Sequence, residues 1–309
     1  MSTLRRRADP RAAFGAEWEA LRRVSAWRGL WLVAHAWGVI GLCLAASILF
    51  PNPLVWLAAV VVIGARQLGL AILMHEAAHG LLHPNRRAND IAGEWLCAAP
   101  VGATLSSYRP YHLGHHKHTQ TEDDPDLGLS AHFPVTRASL KRKVVRDLTG
   151  QTFLKQRLGL VRMAADGRGA AGLPTGDVPR AAPFLVTNAA LLAFLIALGA
   201  GPAYLVWLVA MATWFPLATR LRNIAEHACV ASDDDPYTHA RTTHANLVER
   251  ALIAPYWVNY HAEHHLFMWL PCYRLPRAYR VLRQRGLANR IKTAPGYLDV
   301  LRECSARPA

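Results

Sequence analysis

The chain has 309 residues, 52% hydrophobic and only 18% charged, with ten tryptophans and a formal net charge of +14. Soluble chains carry about 25% charged residues, and this balance excludes a disordered, collagenous or coiled-coil protein. The length suits one large domain or two small ones, and the five scattered cysteines form neither a CxxC motif nor a disulfide framework.

The N-terminal stretch Met1–Arg28 is polar and holds seven arginines. No short apolar segment with a cleavage site follows it, so no cleaved signal peptide is expected. Two apolar runs come next, about residues 30–50 and 53–74, broken by Pro51-Asn52-Pro53. A weaker stretch, Ile91 to Leu105, contains Glu94 and Pro100 and is too short to span; it reads as interfacial or re-entrant. About Arg137 to Ala165, apolar residues at helical spacing alternate with basic ones, as in an amphipathic surface helix. Asp166 to Arg180 reads as a Gly- and Pro-rich linker. Two further apolar runs, about 181–200 and 202–221, are broken at Gly199 to Pro202. Each run is near 20 residues, enough to cross a hydrocarbon core of about 30 Å, and together they predict two helical hairpins.

Of the 35 basic residues, 34 lie before, between or after the hairpins, or at the end of the fourth run, and none lies in a hairpin turn. Both termini and the long central segment are therefore expected on the cytoplasmic side. That placement makes the charge topological and excludes a nucleic-acid footprint. The exception, Arg66, sits inside the second run and reads as a snorkelling or paired residue.

Most of the fifteen histidines fall in four clusters at predicted cytoplasmic helix ends. The first is His75-Glu76-Ala77-Ala78-His79, with His83 beyond. The second is His112-Leu113-Gly114-His115-His116, followed by His118. The third is Asn223-Ile224-Ala225-Glu226-His227, and the fourth His261-Ala262-Glu263-His264-His265. Positions i, i+3 and i+4 share a helix face, so each H-x-x-H-H aims three imidazoles at one point. Roughly 0.04 such patterns are expected by chance, and two are present. Imidazole suits Zn, Cu, Fe and Ni, and nine histidines at shared-face spacing exceed the needs of one ion, which implies two. H-E-A-A-H alone is also the zinc-protease pattern with Glu76 as general base, but such a site does not use the other clusters. A histidine-rich transporter would place its ligands at the bilayer midplane. His35 reads as a satisfied helix histidine, and His132, His239 and His244 as unpartnered loop residues. His83 and His118 stay open between metal binding and a supporting role. Trp207, Trp214, Trp257 and Trp269 read as an aromatic belt rather than as tunnel walls.

This set of boxes resembles the membrane fatty-acid desaturase superfamily. So do the acidic run Thr121 to Asp126 and the segment Pro271-Cys272-Tyr273-Arg274-Leu275-Pro276; Glu76 stands where the family often has Asp. The resemblance implies an all-α integral membrane protein, four transmembrane helices in two hairpins under a helical cytoplasmic cap that holds the boxes. Residues 1–29 and 281–309 would be cytoplasmic terminal segments and 30–280 the desaturase domain. It implies a di-iron centre, two Fe2+ in the O2-reactive state, held by His75, His79, His112, His115, His116, His227, His261, His264 and His265, with Asn223 acting through water. Glu76, Glu226 and Glu263 are then candidates to orient imidazole N–H groups. The activity implied is O2-dependent desaturation of a fatty-acyl chain, or hydroxylation or ketone formation on a lipid or carotenoid. Electrons would come from a separate ferredoxin-like donor, since neither a haem-attachment motif nor an iron–sulfur cysteine run is present. The Ala- and Arg-rich composition is that of a bacterial chain, which places it in an inner membrane among membrane lipids.

Overall fold

The computed structural model describes residues 10–166, 181–231 and 235–307. These are mostly helical. Helix α1 (Glu17–Arg22) leads to α2 (Arg28–Leu49), which turns into α3 (Pro53–Ala78). Local chemistry dictates the turn. Asn52 Oδ1 accepts the otherwise free N–H groups of Leu54 and Val55, and Pro53 sits where no N–H is needed.

Next come α4 (Arg86–Ile91), a π-helical stretch over Ala92–Ala98 and a 3-10 turn over Ala99–Val101. The weak apolar stretch thus folds against α3, with Cys97, Ala98 and Ala99 fully buried. Its Glu94 accepts the Leu105 N–H at 2.7 Å and caps α5 (Leu105–His118), which bears the second histidine cluster.

After α6 (Leu127–Ser130), the predicted amphipathic helix is two helices, α7 (Arg137–Leu148) and α8 (Gln151–Asp166). Gly150 between them adopts a φ of 76°, a left-handed conformation that ends a helix. Buried Asp147 anchors the break, accepting Arg220 Nε at 2.5 Å and Thr152 Oγ1 at 2.6 Å. Apart from Asp166, the predicted linker lies outside the described residues.

Then follow α9 (Ala181–Ala197), α10 (Tyr204–Ala212) and α11 (Trp214–His227). The break between α10 and α11 follows from Pro216, whose ring excludes a helical bond to the Ala212 carbonyl. Three helical stretches are long and apolar enough to cross a membrane: Arg28–Leu49, Pro53–Ala78 and Gly201–His227; Ala181–Ala197 is shorter, with 17 residues. Two of them outrun their apolar runs, ending at Ala78 and His227 instead of near 74 and 221, so the first and third clusters ride on the same helices. Trp207 is neither belt nor tunnel wall: it is fully buried, stacked on Trp37 at 5.9 Å, with Nε1 donating to Asn188 Oδ1 at 2.9 Å.

The remaining elements are β1 (Arg241–Thr243), α12 (Leu247–Leu252), α13 (His261–Leu266), α14 (Leu275–Gln284), β2 (Lys292–Ala294) and α15 (Tyr297–Cys304). β1 and β2 pair in parallel. Position 280 falls inside α14, and α15 packs on α11 with Tyr297, Val300 and Cys304 buried. The chain beyond 280 thus supports the helix that carries His227.

Candidate metal centre

Helices α3, α5, α11 and α13 deliver nine histidines to one place. They form two groups: His75, His79, His112, His116 and His264, and His115, His227, His261 and His265. Within each group, one nitrogen per ring lies within 4.8 Å of all the others. Each H-x-x-H-H is shared between them. α5 gives His112 and His116 to the first group and His115 to the second; α13 gives His264 to the first and His261 and His265 to the second. The groups adjoin, with the His116 and His265 rings stacked at 4.4 Å.

The nitrogen spacing is that of ligands around shared ions. In the first group the Nε2–Nε2 separations are 2.9 Å for His79–His112, 3.0 Å for His112–His116 and 2.9 Å for His116–His264. In the second they are 3.2 Å for His115–His227, 2.8 Å for His227–His261 and 3.1 Å for His261–His265. A neutral ring nitrogen donates or accepts one hydrogen bond. His112, His116, His227 and His261 each face two other nitrogens, so hydrogen bonds cannot satisfy them. Two nitrogens about 2.1 Å from one ion lie roughly 3.0 Å apart at a right angle and about 3.4 Å apart at the tetrahedral angle. The observed values lie nearer the right angle than the tetrahedral one. Both ring nitrogens of His75 and Nδ1 of His79 and His264 are buried without a hydrogen-bond partner.

Burial holds many of these rings below the usual imidazole range, and buried partners orient others. Burial, with the Arg109 charge, pushes His79 down to about 3; burial and neighbouring imidazoles push His116 to about 2. His112, His261, His264 and His265 are held well below the usual imidazole value by burial and by neighbouring imidazoles. His115 Nδ1 bonds Asp124 Oδ1 at 2.7 Å. Burial raises the Asp124 carboxyl, but the His115 hydrogen bond and charge and the Gln120 and Asp126 N–H groups outweigh it, leaving the acid below its usual range. His227 Nδ1 bonds the His239 carbonyl at 3.1 Å.

A profile of the fatty acid desaturase family matches residues 51–293. The chain belongs to this family. Among its relatives is a dihydrorhizobitoxine desaturase of Bradyrhizobium elkanii, 27% identical over 286 residues, 87% of this chain and 76% of the relative. A beta-carotene ketolase of Paracoccus sp. strain PC1 is 28% identical over 258 residues, 80% of this chain and 86% of the relative.

In this desaturase-family chain the three box glutamates behave differently. Glu226 Oε1 lies 3.4 Å from His261 Nδ1 while both its oxygens bind Arg222, at 2.6 and 2.5 Å. Glu76 Oε1 stands 3.5 Å from His75 Nδ1, and its Oε2 accepts the Cys272 N–H at 2.7 Å. Glu263 does not orient an imidazole as expected: its Oε2 accepts Thr242 Oγ1 at 2.6 Å. Burial raises its acid to about 7 against that bond. Asn223 shares with Tyr108, His112, His115 and His261 a cavity of about 30 Å3, room for one water.

His83 and His118 lie outside both groups. His83 Nδ1 accepts the Asn85 N–H at 3.0 Å, and His118 Nδ1 sits 3.9 Å from exposed Asp123. His35 is satisfied, its Nδ1 3.1 Å from the Tyr256 hydroxyl. His239 and His244 lie in loops, as expected, but are not unpartnered: the first lends its carbonyl to His227, and the second faces Tyr279 at 3.4 Å. Asp124, Arg222 and the His239 carbonyl had no assigned role from sequence. Asp124 was within reach, since it lies in the acidic run after the second box; a backbone carbonyl leaves no sequence signal.

Proposed function

We propose that this chain is an integral membrane di-iron enzyme that uses O2 to introduce a double bond into a fatty-acyl chain. The observation that carries the reading is the division of nine buried or half-buried imidazoles into one group of five and one of four, with ligand-like nitrogen spacing. Five nitrogens exceed the four of a structural zinc site, and iron is among the metals that imidazole suits. In this reading the nine histidines hold two irons, and Asn223 contacts one through a water in the cavity beside His227. Asp124, Glu226 and the His239 carbonyl fix the second group's rings. Bound iron would supply O2 reduction and the oxidising power to take hydrogen from an unactivated C–H bond, which no side chain provides. Desaturation balances when O2 takes two electrons from the substrate's C–H bonds and two from a separate donor such as a ferredoxin, yielding two waters. A zinc-protease reading fails on Glu76, whose carboxylate is tied to the Cys272 N–H.

The topology that goes with this reading has four spans, α9 being the third, with both termini and the iron site on the cytoplasmic side of a bacterial inner membrane. The boxes then lie where a lipid tail and a soluble electron carrier can both reach them. The likeness to a carotenoid ketolase over most of both chains supports a second reading, oxygen insertion into a lipid or carotenoid.

Mass spectrometry of lipids from a host expressing the chain, beside His264→Ala, tests both. A species lighter by two hydrogens, absent with the variant, is expected. A species heavier by one oxygen would move the assignment to the second reading. No change in lipids with no bound iron would overturn the di-iron reading itself.

A further inference from the structure

Away from the histidines, α2, α3, α12 and the turn after α12 line an open cleft of about 510 Å3, within the roughly 300–1,000 Å3 of ligand sites. Trp31, Val39, Val62 and Leu252 give it apolar walls. Its polar groups converge on one level. His35 lies 14 residues before the end of α2 and Arg66 13 residues after the start of α3. Both are thus about 20 Å from the hairpin turn, about two-thirds of the way across a hydrocarbon core.

Arg66 is 7% exposed. Its Nη2 donates to the Ala251 carbonyl at 2.5 Å and its guanidinium stands 5.5 Å from the Tyr256 ring centre. Arg250, exposed on α12, lines the same cleft. No carboxylate among the described residues pairs with either guanidinium, although charges within a span are normally paired. Tyr256 is fixed from two sides. Its backbone has a φ of 55°, and its ring fills the space a Cβ at Gly69 would need, 2.7 Å away. This packing holds the phenol against His35 at the cleft wall.

We propose that this cleft binds the anionic head of a long-chain amphiphile. Arg66 and Arg250 hold the charge beside the His35–Tyr256 pair, and the chain lies along Trp31, Val39 and Val62. A fatty-acid carboxylate and a phospholipid phosphate share this chemistry. The site stands independently of the reaction proposed for the histidines.

Two binding measurements on the purified full-length protein, with and without chelation of metal, test the proposal. In neutral detergent, cis-parinaric acid is compared with its methyl ester by fluorescence. In nanodiscs, retention of phosphatidylglycerol is compared with phosphatidylcholine by native mass spectrometry. In at least one arm the anion is expected to be preferred about tenfold, as a charge-assisted contact gives. The acid arm marks a carboxylate ligand and the lipid arm a phosphate ligand. Arg66→Gln and Arg250→Gln should each abolish the preference, and Arg250→Lys should retain it, in chelated and untreated protein alike. Because Arg250 is exposed, its variants carry the test even where Arg66→Gln does not fold. No anion preference in either arm, or a preference that survives Arg250→Gln, would overturn the proposal.

Discussion

Asp124 and Glu263 are both buried carboxylates next to box histidines, yet the structure gives them different work. Asp124 holds Nδ1 of His115, so Asp124→Asn should lower iron affinity or activity by about 10–100-fold. Glu263 bonds Thr242, so Glu263→Gln should leave iron content at the wild-type level. Iron analysis of the two purified variants checks the contrast; equal losses would contradict it. The imidazoles also set a pH dependence. His79 and His116 titrate near 3 and 2 in the folded chain but near about 6.5 when unfolded. The unfolded chain therefore binds protons first. Stability of the metal-free protein should be fully present above about pH 6.5 and be lost as pH falls towards 3. Thermal melts of chelated protein at pH 7.5 and 5 should show the lower midpoint at pH 5.

At the scale of elements, the helices place the boxes by close packing. A Cβ at Gly93 would lie 2.4 Å from the Ala77 Cβ, on the turn of α3 between His75 and His79. Gly93→Ala should therefore destabilise the protein by about 1–3 kcal/mol, measured as a fall in melting temperature. The boxes themselves were legible in the sequence because 3.6-residue periodicity acts locally, but H-x-x-H-H on α5 and α13 does not aim its three imidazoles at one point as expected: each box serves two groups. How each box divides between two groups was not legible. It depends on how α5 and α13 cross, which long-range packing decides. The division of the amphipathic stretch at Gly150 and the burial of Trp207 also escaped sequence reading. Both depend on tertiary partners, Arg220 for Asp147 and Asn188 for Trp207.

For the whole molecule, the apolar runs foretold the apolar helices, three of them long enough to cross a membrane, while the packing of the chain beyond residue 280 onto α11 came only from the structure. The proposed topology is open to direct test. A fluorescent protein fused to the C-terminus should fold and fluoresce, whereas a periplasmic phosphatase at the same point should stay inactive; the reverse would contradict a cytoplasmic C-terminus. The central claim, that two groups of histidines each hold an iron, is tested most directly by metal stoichiometry. Purified protein should contain close to two irons per chain. Replacing His75 and His79 together, or His261 and His265 together, by alanine should each leave about one. One iron or none in the wild-type chain, or zinc in its place, would contradict the account.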